Sequence, residues 1–247
     1  MRIVIVGAGE VGSSIAASLA SSHDVVVVDI DTDRVETLTY SLDVLPVEGD
    51  GTDVETLQSA DVGDADMVIA STDDDETNIV TCGAAKVLGD AFTIARTKSP
   101  KYLKAWERSQ HAFGVDFMVC TDLLTAEAIV GLAGMPTAQD VDTFADGLVQ
   151  MTEFEIPEES PIAGQTVAEA DQFDSLTFAG IIRDDCVIIP RGTTELRGGD
   201  EVVAIGSPES MREFSSAIAP EEQGPQDVVI VGGGEIGFQT ARLLEER

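Results

Sequence analysis

The run VIVGAGEVG near the start of the chain, with glycines at Gly7, Gly9 and Gly12, constrains the fold more than any other segment. A short β-branched stretch, residues 2–6 (RIVIV), leads straight into it. Glycines at this spacing mark a strand that turns sharply into a helix. The first permits the turn, the second lets the backbone approach a pyrophosphate, and the third lets the helix press on the strand. The N-terminus of that helix offers unpaired N–H groups to an anion. The motif nearly recurs as VIVGGGEIG, at Gly232, Gly234 and Gly237. Two copies imply a tandem array of nucleotide-binding domains, with only the opening of the second present, as a truncated start over 227–247.

Between the copies the chain changes rhythm once. Residues 24–29 (DVVVVD), 44–47, 66–71 (DMVIAS), 92–96 and 115–119 read as further strands, with helices over 32–41, 53–60, 75–88 and 100–109. Strict β–α alternation predicts a Rossmann-like α/β domain, a doubly wound parallel sheet, over 1–120. An apolar helix from Asp122 to Gly134 and a linker over 136–142 make up a connection spanning 121–142. The apolar face of that helix suits either core packing or another subunit. Strands over 148–156, 176–182, 186–189 and 201–205, a turn at Asp184-Asp185 and a helix opened by Ser207-Pro208-Glu209 then predict a small α+β domain over 143–219. Residues 220–226 read as a linker.

Acidic residues outnumber basic ones 46 to 14, a formal charge of −32. Such a surface repels nucleic acid and anionic lipid. It fits adaptation to high salt, a halophilic setting in which dense charge keeps a protein soluble. Cys82, Cys120 and Cys186 form no C-x-x-C pair, which argues against a metal cluster and fits a reduced cytoplasm. The opening strand leaves no room for a signal peptide, and no apolar run is long enough to span a bilayer.

The candidate site lies where open α/β sheets bind ligands, at the C-terminal ends of the strands. Asp29 ends the second strand, 17 residues beyond Gly12 and near the expected position, where a carboxylate accepts ribose hydroxyls and repels a 2′-phosphate. Asp31 and Asp33 add to that repulsion, so NAD, NADH or an adenine nucleotide is favoured over NADP. Arg34 offsets this in part or is simply a helix-surface residue. Asp50, in the Gly49–Thr52 loop, serves either the adenine edge or its own turn. Thr72 and Asp73 should face the ligand, while Asp74 to Glu76 suit a helix N-terminus. Arg96 ends the fifth strand and pairs either with a phosphate or with a neighbouring acid. No catalytic set is visible: His23 and His111 occupy no strand C-terminus, and Cys120 reads as a buried small hydrophobe. The chain is therefore expected not to be an enzyme. The alternative is an NAD-dependent oxidoreductase of unknown substrate.

Together VIVGAGEVG, VVVVDID, the Gly49–Thr52 loop, STDDDETN and IARTKSP resemble the Trk-type potassium-uptake regulators of the RCK/KTN family. SPIAGQTVAE, IIPRGTTELRGGDEVVAIG and the SPESM helix resemble that family's RCK-C domain. The resemblance implies a TrkA-N (RCK-N) domain, then a TrkA-C domain for ligand sensing or dimerisation. It implies a cytoplasmic regulatory subunit, peripheral at the inner face of the plasma membrane, that binds NAD(H) or ATP/ADP. That subunit would assemble as a homo-oligomer, a dimer or ring, and gate a membrane potassium transporter. Carried onto this sequence, ligand contacts fall on Gly7, Ala8, Gly9, Glu10, Val11, Asp29, Asp50, Thr72, Asp73 and Arg96.

Overall fold

A computed structural model describes residues 1–109, 112–135, 137–145, 147–221 and 227–245. His111 and most of the expected 220–226 linker lie outside the described residues. The chain divides into two compact units, Met1–Leu124 and Thr125–Arg247.

The first unit holds six strands: β1 (Arg2–Val6), β2 (Asp24–Asp29), β3 (Leu45–Glu48), β4 (Met67–Ala70), β5 (Phe92–Thr97) and β6 (Phe117–Cys120). They form one sheet in the order β3-β2-β1-β4-β5-β6, and every pairing is parallel. Five helices connect them: α1 (Glu10–Leu19), α2 (Thr32–Ser41), α3 (Val54–Ser59), α4 (Asp75–Leu88) and α5 (Pro100–Ser109). This is the doubly wound order, with its topological switch between β1 and β4. The period-two geometry of strands sorts the core. Val4, Val6, Val26, Val28 and Val68 pack with Leu57 of α3 and Ala85 of α4. Ile3, Ile5, Val25, Val27 and Ile69 pack with Ala16 of α1 and Leu38 of α2. Each such side chain, buried on folding, contributes about 1.5–3 kcal/mol. The central strands are apolar on both faces, which is why they read as continuous runs rather than alternations.

A polar strap holds the far side of the sheet. Lys86 of α4 pairs with Asp116 at 2.6 Å, and Asp116 also accepts from the Thr93 amide at 2.9 Å. Burial pushes the Asp116 carboxyl up, but Lys86 and Thr93 outweigh it and hold it below the usual carboxylate range.

Helix α6 (Thr121–Leu132) contains the boundary between the units. In the second unit, β7 (Ala138–Phe144), β8 (Val149–Glu155), β9 (Leu176–Arg183), β10 (Cys186–Ile188) and β11 (Glu201–Gly206) form an antiparallel sheet, ordered β10-β9-β11-β8-β7. A short helix α7 (Val167–Ala170) and the longer α8 (Pro208–Ile218) complete it. Phe214 of α8 meets Phe154, Phe173 and Phe178 edge-on, with ring centroids 5.1, 5.5 and 5.3 Å away. Asp184 and Asp185 carry φ of 52° and 59°, the left-handed pair that a tight hairpin turn demands.

Two expectations need correction. The segment 136–142, expected as a linker, supplies most of β7. Only Ala138 and Val141 are half-buried there, and Asp140 and Asp142 face solvent, so this edge strand shows little apolar alternation. The strand expected at the second fingerprint does not form: Val228 to Val231 are unpaired, and Val229 and Val231 are 84% and 96% exposed. The helix after it does form, as α9 (Glu235–Glu245). A strand needs neighbours to take its backbone hydrogen bonds, whereas a helix satisfies its own.

Candidate functional site

The site grows from the turn after β1. The Gly7 amide donates to Val28 O at 2.8 Å, and its φ of +104° belongs to the region glycine tolerates. A Cβ on Gly7 would sit 2.8 Å from the Thr72 amide nitrogen, so the loop is pressed against the end of β4. At Gly12 a Cβ would lie 1.8 Å from Gly7 O, which fixes how closely α1 packs on its own loop. Gly9 differs: a Cβ there would meet only Arg34 Nη1, at 3.7 Å, leaving the backbone open.

That open backbone faces a crevice of about 1050 Å³ at the switch point, large enough for a dinucleotide. Gly7, Ala8, Gly9, Glu10 and Val11 line one wall, and Asp29 and Asp50 line another. Thr72, Asp73 and Arg96 close it from β4 and β5. Gly12 does not line it; it lies behind the loop, in the packing role just described.

The aspartates of the crevice are each held by a local bond. Asp29 accepts from the Ala8 amide at 2.5 Å and from the Asp31 amide at 2.8 Å. Asp50 accepts from the amide and hydroxyl of Thr52, both at 2.8 Å, so it builds its turn as well as lining the wall. Asp73 pairs with Lys98 at 2.9 Å and, more loosely, with Arg96 at 3.7 Å. The hydrogen bond and charge of Lys98 hold its carboxyl below the usual range, with Arg96 and Arg34 adding to this. Asp74 caps α4 by accepting from Thr77 N at 2.7 Å.

Two residues with no ligand role expected from the sequence also shape the site: Arg34, which lines the crevice, and Asn78, which supports it from behind. Asn78 is wholly buried on α4, on the stripe that continues through Thr81, Cys82 and Ala85. Its Oδ1 accepts from the amide and hydroxyl of Thr72, and its Nδ2 donates to the carbonyls of Thr72 and Arg96. One amide thus ties the ends of β4 and β5 together. A lone asparagine on the otherwise small, buried stripe of α4 is the signal that marks it. Arg34 lines the crevice and pairs with Asp31 at 3.4 Å, rather than lying only on the outer surface of α2.

Arg96 supplies a direct test of fit for an anionic ligand. Its side chain is 15% exposed, Nη1 donates to Thr72 O at 3.3 Å, and its buried Nε has no partner. A buried guanidinium N–H without an acceptor, beside an open glycine loop at a helix N-terminus, suits a phosphate. Cys120, in contrast, is 2% exposed, and burial pushes its thiol up.

Comparison with known proteins identifies the two domains of the chain. Residues 3–121 match the TrkA-N domain and residues 151–219 the TrkA-C domain. The chain belongs to the TrkA family. It is 35% identical, over its whole length, to Trk system potassium uptake protein trkA homolog 1 of Methanosarcina mazei, covering 62% of that protein. It is 36% identical over 99% of its length to a TrkA homolog of Archaeoglobus fulgidus, covering 55% of it. The chain thus spans little more than half the length of these relatives. The GsuK RCK domain shares its fold, with a TM-score of 0.70 at 23% identity over 99% of this chain and 53% of that one. A GsuK channel bound to NAD superposes with a TM-score of 0.69 at 23% identity, over 99% of this chain and 44% of that one. The crevice lies wholly within the TrkA-N domain, and among the described residues no helix is long and apolar enough to cross a membrane.

Proposed function

We propose that this chain is a nucleotide-binding regulatory part of a Trk-type potassium uptake system. It takes NAD(H) or ATP/ADP in the crevice between the glycine loop and Arg96. The observation that carries the reading is the open Gly9 backbone facing a crevice lined by Arg96, whose buried Nε lacks an acceptor. The names of the relatives, potassium uptake proteins, supply the process. A channel described as bound to NAD shares the fold.

The residues present fit such a ligand. The loop Gly7–Val11 and the N-terminus of α1 would hold its phosphates, Asp29 its ribose, and Asp50 and Thr72 the flanks. The ligand supplies charge and shape, not chemistry, in this reading, and the chain is no enzyme. Binding shifts the transporter only if the nucleotide favours one conformation over another. The chain would act from the cytoplasmic side, held at the membrane by the transporter and assembled with further copies of itself. Its acidic surface suits a high-salt cell. Co-purification with a membrane potassium transporter subunit, altered by NADH, tests the partnership. Nucleotide-independent association, or turnover of NADH with a carbonyl substrate, contradicts it.

A further inference from the structure

The crevice carries an uneven set of charges. Its carboxylates are Glu10, Asp29, Asp50, Asp73 and Asp74, against the guanidiniums of Arg34 and Arg96. Four of the acids are engaged. Asp29 and Asp50 accept from backbone amides, Asp73 pairs with Lys98, and Asp74 caps α4. Glu10 makes no hydrogen bond or ion pair among the described residues. It is exposed and occupies the first turn of α1, at the helix end where a phosphate should be most welcome.

Building on the nucleotide-binding reading, we propose that Glu10 is a specificity-determining residue that makes the crevice prefer a dinucleotide to a nucleoside triphosphate. A dinucleotide pyrophosphate carries one negative charge on each phosphate, and the guanidiniums that line the crevice, Arg34 beside Asp31 and Arg96 beside Asp73, are the cations placed to meet them. A triphosphate adds another phosphate and a doubly charged terminus. No further cation lines the crevice among the described residues, so the added charge meets carboxylates, and Glu10 is the one among them whose side chain makes no hydrogen bond or ion pair. In a cleft walled by protein such repulsion is screened less than in open water.

The test is calorimetric titration of the full chain with NADH and with ATP in the absence of magnesium, for the parent and for Glu10→Gln and Glu10→Lys. The parent should bind NADH at least about tenfold more tightly than ATP. Glu10→Gln should tighten both ligands, ATP about tenfold and NADH by less, so that the ATP-to-NADH affinity ratio rises, and Glu10→Lys should raise that ratio further. Circular dichroism should be unchanged, because Glu10 is exposed. Equal affinity of the parent for both ligands, or an unchanged ATP-to-NADH ratio in both variants, overturns this inference and leaves nucleotide binding intact. Failure of every chain to bind either ligand sinks the nucleotide reading and this inference with it.

Discussion

The amide of Ala8 donates to the carboxylate of Asp29 at 2.5 Å, so the glycine loop after β1 and the end of β2 form one hydrogen-bonded unit. The residue expected to receive a ribose also holds the loop expected to receive a phosphate. Replacing it should disturb both. Asp29→Ala leaves the Ala8 and Asp31 amides without their acceptor, at a stability cost of about 1–3 kcal/mol. NADH affinity should fall at least about tenfold, by loss of a charged hydrogen-bond acceptor. Thermal melts with and without NADH measure both; an unchanged ligand-induced shift contradicts the assigned role.

The two glycine fingerprints should respond differently to the same substitution. A Cβ at Gly12 would lie 1.8 Å from Gly7 O, and one at Gly237 would lie 2.5 Å from Gly232 O. Gly12→Ala should destabilise the first unit by about 3 kcal/mol, the upper end of the usual overpacking cost, and abolish NADH binding. Gly237→Ala strains only the second loop, so NADH binding should remain. Loss of binding in both variants would show that the second fingerprint contributes to the site.

Asn78 should matter more than its neutral side chain suggests. Asn78→Ala leaves the Thr72 amide and the carbonyls of Thr72 and Arg96 short of partners in a buried place. The expected loss is about 2–4 kcal/mol in urea unfolding, the summed effect of several unmade hydrogen bonds. Nucleotide affinity should fall too, since Arg96 loses its backbone anchor. A variant as stable as the parent contradicts the clamp.

Acid should unlock the Lys86–Asp116 pair. The folded Asp116 carboxyl lies below the usual range, so it binds its proton less readily than in the unfolded chain. Its contribution is present above the unfolded value, about 3.9, and is lost as pH falls through the folded value. The parent should therefore lose stability more steeply than Asp116→Asn below about pH 4. Parallel acid limbs in the two unfolding profiles contradict this.

With a formal charge of −32, the folded chain also pays for its own compaction in repulsion. Potassium chloride raised from about 0.1 M to about 1 M shortens the screening length from about 10 Å to about 3 Å. The melting temperature should rise across that range. A flat profile contradicts a stability dominated by acidic repulsion.

How legible the molecule is in its sequence depends on whether the forces are local. Helix α4 begins and ends at the expected Asp75 and Leu88, because Asp74 supplies a cap for its first turn. Helix α5 starts at Pro100, a residue preset for a first turn. The six parallel strands stand out because both faces are buried. The β7 edge strand does not, since solvent on one side lets Asp140 and Asp142 replace apolar residues. Val228 to Val231 mislead for the opposite reason: the apolar run is present, but pairing partners are not, among the described residues. In the crevice, the glycines and the strand-end acids are visible from spacing alone. The reach of Arg34 toward Gly9 is not, because a long side chain can cover backbone well away from its own Cα.

On the proposed function, the crevice beside Gly9 and Asp29 takes one nucleotide per chain. Titration calorimetry of the full chain with NADH, in concentrated potassium chloride, tests it most directly. Saturable binding near one equivalent per chain is expected, abolished by Gly12→Ala and retained by Gly237→Ala. No measurable binding of NAD, NADH, ATP or ADP, or binding that survives Gly12→Ala unchanged, would contradict it.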